Sequence, residues 1–205
     1  MKGKTVYGHY YNKYETNNPI HKLLVKNYLK SFKETLSLID FKNILEVGCG
    51  EGYIIKEIHK NFNPKKIVGI DISEDIITNN KEKFSKNQFK NIKFQTGNAE
   101  SLSFKDNSFD LVTACQMLEH VDNYQKVTNE VHRITNKYVV ISVPREPLWR
   151  FLNFIRGSYI ISLGNTPGHI NHWSKHGICK LLEKKFKILT IKTPPPWTMI
   201  LLEKK

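Results

Sequence analysis

A doubly wound α/β domain with a mostly parallel sheet is the fold this sequence predicts, and three observations predict it. Short apolar runs alternate with amphipathic stretches from residue 43 to residue 144, a glycine-rich turn closes the first run, and no repeat or low-complexity linker breaks the rhythm. Such alternation demands parallel strands joined by right-handed crossovers. At 205 residues the chain suffices for one domain with a buried sheet and is too short for two full ones. We therefore expect a single domain over 1–205, with a leader and helix over 1–42 and an inserted cap over 145–170.

The elements follow in order. The leader is polar and tyrosine-rich (Tyr7, Tyr10, Tyr11, Tyr14), with one or two rings expected to close over a ligand. In PIHKLLVKNYLKSFKETLSLI, Leu23, Leu24, Tyr28, Phe32, Leu36 and Ile39 recur at helical spacing, and Pro19 suits a first helical turn. Strands are expected over 43–48, 66–71 and 92–96, with helices over 52–62 and 73–86 between them. A fourth strand lies in FDLVTACQ, a helix over 122–135 and a fifth strand over 138–144. After Pro144 the rhythm stops. Residues 145–170 place Trp149, Phe151, Phe154, Tyr159 and Ile160 among Arg145, Arg150 and Arg156, too much apolar surface for a plain connection. A helix capped by Ser174 follows, then two strand candidates, FKILTIK and TMILLEK, separated by Pro194, Pro195 and Pro196.

The chemistry begins at ILEVGCGEGY, residues 44–53. Ile44, Leu45 and Val47 form a buried strand; Gly48, Gly50 and Gly52 permit positive φ and close approach of a ligand to the backbone, with Cys49 inside the turn. The spacing G-x-G-x-G differs from the pyrophosphate fingerprint G-x-G-x-x-G, and Glu46 just ahead of it repels phosphate while attracting an ammonium or sulfonium. The next strand, KIVGIDIS, ends in Asp71, followed by Ile72, at about the twenty-residue distance that sets a carboxylate on ribose hydroxyls. Together these indicate a nucleoside cofactor without a pyrophosphate.

On those residues the chain resembles the class I S-adenosylmethionine-dependent methyltransferases, of the type 11 and ubiquinone-pathway-like small-molecule branch, over nearly its whole length. The resemblance implies a Rossmann-like sheet closed by an antiparallel C-terminal strand, S-adenosyl-L-methionine as cofactor, and an acceptor entering between the N-terminal helix and the cap. It also implies roles: Glu46 organises the amino-acid end, Asp71 holds both ribose hydroxyls, and Asn98 with Ala99 meets the adenine. Family members usually carry aspartate where Asn98 stands; asparagine keeps the carbonyl acceptor and loses the charge. The expected cofactor set is Glu46, Gly48, Cys49, Gly50, Gly52, Asp71, Ile72, Asn98, Ala99 and Gln116.

FDLVTACQMLEHV sets Gln116, Met117, Glu119 and His120 past the fourth strand, where open α/β sheets bind ligands. It resembles E-x-x-E-H, a metal-holding stretch of ubiquinone-pathway O-methyltransferases, with Gln116 in place of the first glutamate. One anionic oxygen is lost, so no metal ligand is assigned. His120 is a candidate base near neutrality, as are His169 and His172 in GHINHWS, a pair with no obvious carboxylate partner nearby in sequence.

Composition narrows the partners. The net charge of +13 comes chiefly from lysines scattered beside asparagines, a compositional bias more than a nucleic-acid footprint. No base-gripping asparagine-proline-proline-aromatic motif and no Pro-Cys nucleophile follow the fourth strand, which argues against nucleic acid. Cys49, Cys115 and Cys179 read as reduced thiols, and no run approaches the roughly eighteen apolar residues of a bilayer span. A cytoplasmic protein is expected. The reading is methyl transfer to O, N or C of a small molecule that is aromatic, lipid-linked or anionic, with peripheral docking on a membrane as a further partner reading. RNA or protein methylation, and a non-catalytic cofactor-binding protein of the same fold, are the alternatives; oligomeric state is left open.

Overall fold

The computed structural model describes residues 17–205, so the four leader tyrosines lie outside the described residues. Helix α1 (Pro19–Leu36) opens on Asn18, whose side chain accepts from the amides of Ile20 and His21, with proline in the first turn. Five parallel strands follow: β1 (Asn43–Val47), β2 (Lys66–Asp71), β3 (Ile92–Thr96), β4 (Phe109–Cys115) and β5 (Thr135–Pro144). Helices α2 (Tyr53–Phe62), α3 (Glu74–Lys83) and α4 (Tyr124–Ile134) connect them, and short α5 (Leu148–Ile155) and α6 (Lys175–Leu182) come after the fifth strand. β6 (Phe186–Lys192) and β7 (Trp197–Lys204) complete a seven-stranded sheet in the order β3-β2-β1-β4-β5-β7-β6.

β7 enters between β5 and β6 and runs antiparallel to both, as the resemblance implied. The sheet is buried on both faces, so its central strands are continuously apolar and alternate residues face opposite layers. Ile44, Ile67, Leu111, Val140 and Leu201 join one core with Tyr28, Phe32 and Leu36 of α1 and Ile54, Ile55 and Ile58 of α2. Leu45, Val68, Val112, Val139 and Ile200 face the other, against Val127 and Val131 of α4 and Ile178 and Leu182 of α6. Full burial stabilises by about 1.5–3 kcal/mol per large apolar side chain, which fixes α1 on the sheet.

Two expectations shift. Leu23 was expected on the apolar stripe of α1 and is 57% exposed, whereas Leu24 packs against the core. α3 ends at Lys83 and not at 86, because Phe84 turns its ring inward against Phe94.

Candidate active site

The strand order reverses between β1 and β4, so the loops after their carboxyl ends diverge and leave a crevice. Gly48, Gly50 and Gly52 line it with φ of 70°, 48° and 76°. A Cβ on Gly48 would lie 2.8 Å from Cβ of Met117, so only glycine fits. The turn is held from beneath. The Cys49 amide donates to the Ile70 carbonyl (2.8 Å), and buried Asn80 of α3 donates its side-chain amide to the Gly50 carbonyl (2.6 Å). Burial, followed by the nearby Glu46 and Asp71 charges, pushes the Cys49 thiol well up, so it stays neutral in the turn.

Asp71 ends β2 facing the same crevice. Its Oδ2 accepts from the Gly50 amide and its Oδ1 from the Ser73 amide, each at 3.0 Å, which locks the carboxylate while each oxygen keeps a second lone pair. Ile72 beside it is 40% exposed, an apolar surface suited to a flat base. Glu46 is buried at the end of β1. Asn98 is exposed past β3, its Oδ1 accepting from the Glu100 amide (2.8 Å), while Ala99 packs on the core. Arg133 pins this loop by donating to the carbonyls of Leu102 and Phe104 while pairing with Glu130 and Asp106. Pre-shaped glycine backbone, a locked carboxylate and an exposed isoleucine in one crevice fit an adenosine cofactor without phosphate.

Beyond the crevice a cavity of about 650 Å³ opens between α1 and the cap. Trp149, Leu152, Leu24, Val25 and Trp197 give it apolar walls, and Gln116, Glu119, His120 and His169 a polar side. Gln116 has φ of 60°, its amide donating to the Ser142 carbonyl and its Nε2 to the Ser142 hydroxyl (3.2 Å), which in turn meets the Tyr28 hydroxyl (2.7 Å). Buried Tyr28 of α1 thereby positions Gln116.

The cap returns onto the 118–121 turn. The amides of Ile170 and Asn171 donate to the Glu119 carbonyl, and the Asn171 side chain donates to the carbonyls of Leu118 and Val121. His120 Nδ1 lies 3.0 Å from the Gly168 carbonyl; since a carbonyl only accepts, Nδ1 donates there, and in the neutral imidazole Nε2 is the acceptor. His169 meets His120 edge-on at 4.9 Å between ring centroids and stacks on Trp149. Ligand atoms of Glu119, His120 and His169 all lie within 4.8 Å of one another. The carboxylate that sequence proximity did not supply near His169 is that of Glu119. His172 stands apart: exposed just after the cap, it lies 2.8 Å from Arg150 Nη2 and 2.9 Å from Asn165 Oδ1 and does not line the cavity.

The residues that brace the crevice and cavity, and that the sequence did not single out, are Asn80, Arg133, Tyr28 and Ser142. Tyr28 was legible only as an apolar position on a helix.

The fold is that of the class I methyltransferases, and the sequence agrees with it. The chain belongs to the methyltransferase-domain family, whose model matches residues 40–190. It is 31% identical over 134 residues to a demethylmenaquinone methyltransferase of Listeria monocytogenes, covering 61% of this chain and 56% of that one. The chain thus matches about half the length of these curated relatives. Magnesium protoporphyrin IX methyltransferase from Synechocystis PCC 6803, solved with bound SAH, superposes with a TM-score of 0.71 at 17% identity, covering 94% of this chain and 91% of that one. A SAM-dependent methyltransferase from Aquifex aeolicus gives 0.70 at 17% identity, over 92% and 95%. These two likenesses show the fold.

Proposed function

We propose that the protein methylates an oxygen, or an activated carbon, of an aromatic small molecule held in the cavity between α1 and the cap. The observation that carries this reading is a largely apolar cavity walled by Trp149 and Trp197, bearing a polar group of Gln116, Glu119, His120 and His169 on the cofactor side. The demethylmenaquinone methyltransferase relatives, named for a quinone-type acceptor, support it.

S-adenosylmethionine, when bound, supplies the methyl group through its sulfonium. The chain's own residues do the rest by alignment, exclusion of water and one proton transfer. Asp71, Ile72 and the glycine turn hold the nucleoside, and Glu46 lies on the side of its cationic end. Gln116, fixed by Ser142, offers its side-chain carbonyl toward the reacting region. His120, its Nδ1 proton held by Gly168, accepts the acceptor's hydroxyl proton at Nε2. His169 and Glu119 orient and polarise it.

One observation favours a second reading for that proton. A carboxylate and two imidazoles within 4.8 Å form a donor set that fits a divalent transition metal, which would lower the acceptor's pKa without a free base. Labelled methyl transfer from S-adenosylmethionine to phenols, catechols and reduced quinones tests the function. Extractable labelled product that is lost in Asp71→Ala supports it; no product across these classes, with cofactor bound, contradicts it. Activity lost in chelator and restored by Mn²⁺ or Zn²⁺ selects the metal reading.

A further inference from the structure

A surface helix normally hides one apolar stripe and shows a polar one. α5 is apolar on both sides. Trp149, Leu152 and Asn153 face the cavity, Phe151 and Phe154 on the opposite side are 59% and 50% exposed, and Ile155 at the cavity mouth is 65% exposed. The turn that follows continues the surface. Tyr159 and Leu163, both with positive φ, bracket a one-turn 3-10 helix (Ile160–Ser162) that leaves Ile161 fully exposed and Leu163 72% exposed. Ile20, 66% exposed at the start of α1, lines the same cavity mouth as Ile155, and Leu23 follows it. Nine of the twelve exposed large apolar side chains among the described residues fall in 20–23 and 151–170.

The region is rich in cations. Residues 17–33 and 147–157 carry Lys22, Lys26, Lys30, Lys33, Arg150 and Arg156 and no aspartate or glutamate, with Lys30, Lys33 and Arg150 paired to Glu34, Glu57 and Glu146 outside those ranges. Arg156 reaches across the mouth to His21 Nε2 (2.7 Å), so the cationic and apolar groups share one rim. We propose that the outer face of the cap, with the first turns of α1, docks on an anionic lipid membrane and sets the cavity mouth against the leaflet. Apolar side chains framed by cations are what a peripheral anchor presents to the headgroup boundary, and among the described residues no helix is long and apolar enough to cross a membrane. A second copy would bring like charges face to face. The leader, with three lysines and one glutamate in residues 1–16, does not neutralise them.

Cosedimentation of the whole chain with vesicles tests this without turnover, so its failure is distinguishable from a wrong acceptor. We expect binding to phosphatidylcholine vesicles containing about a third phosphatidylglycerol, weakened by salt and absent with phosphatidylcholine alone. Phe154→Ser with Ile161→Ser should lower partitioning roughly tenfold or more, with thermal midpoint and S-adenosylmethionine affinity unchanged. No binding to the anionic vesicles overturns the proposal, as does equal binding to neutral ones. A dimer in solution that the double variant dissociates, with vesicles unbound, assigns the face to a second copy and likewise overturns it.

Discussion

Asp71 is held by the fold and, on the proposed reading, holds the ligand. The Gly50 and Ser73 amides fix its carboxylate in place. If both oxygens take ribose hydroxyls, Asp71→Ala removes two charge-assisted bonds, and calorimetry should find S-adenosylmethionine binding weakened by about a hundredfold or more. Unchanged affinity removes Asp71 from the site. Gly48→Ala forces a Cβ against Met117 at a φ that disfavours it, and thermal denaturation should show a loss of about 1–3 kcal/mol. Asn80→Ala strands the Gly50 carbonyl, costing about 1–2 kcal/mol and loosening cofactor binding as well. The positions of Glu46, Gly48 and Asp71 at strand ends and in a glycine turn were legible because they follow from spacing along the chain. Asn80 was not, because a polar residue on a helix reads as solvent-facing until the fold brings the glycine turn, thirty positions earlier, against it.

At the scale of elements, two histidine–arginine contacts tie the cap down: Arg156 to His21 of α1, and Arg150 to His172 in the segment that follows the cap. In each, burial first and the arginine charge second hold the imidazole pKa below its ordinary 6.5. For His21 the depressed folded-state value means that the contact contributes fully above 6.5 and is lost as pH falls through the lowered pKa, because a protonated imidazole no longer accepts from Arg156. Hydrogen exchange in the first turns of α1, corrected for intrinsic rates, should therefore quicken as pH drops below 6.5. His21→Gln, which keeps an acceptor and does not titrate, should flatten that dependence; a slope unchanged by the substitution contradicts the latch. The strands were legible as apolar runs, and the sheet's closing strand through the family resemblance. α5 was read only as apolar cap because residues apolar on both sides give no helical period. The Glu119–His169 approach, across fifty residues, depends on how the cap re-enters.

For the whole molecule, the sheet supplies a cofactor crevice where its strand order reverses, while α1 and the cap enclose the space beyond it. On the proposed reading substrate choice resides in the cap and α1, which wall the cavity. A crystal structure with S-adenosylhomocysteine tests this division most directly. We expect ribose hydroxyls on Asp71, adenine over Ile72, and the sulfur directed past Gln116 into the cavity walled by Trp149 and Trp197. A nucleoside bound elsewhere, or a sulfur pointing away from that cavity, contradicts that division.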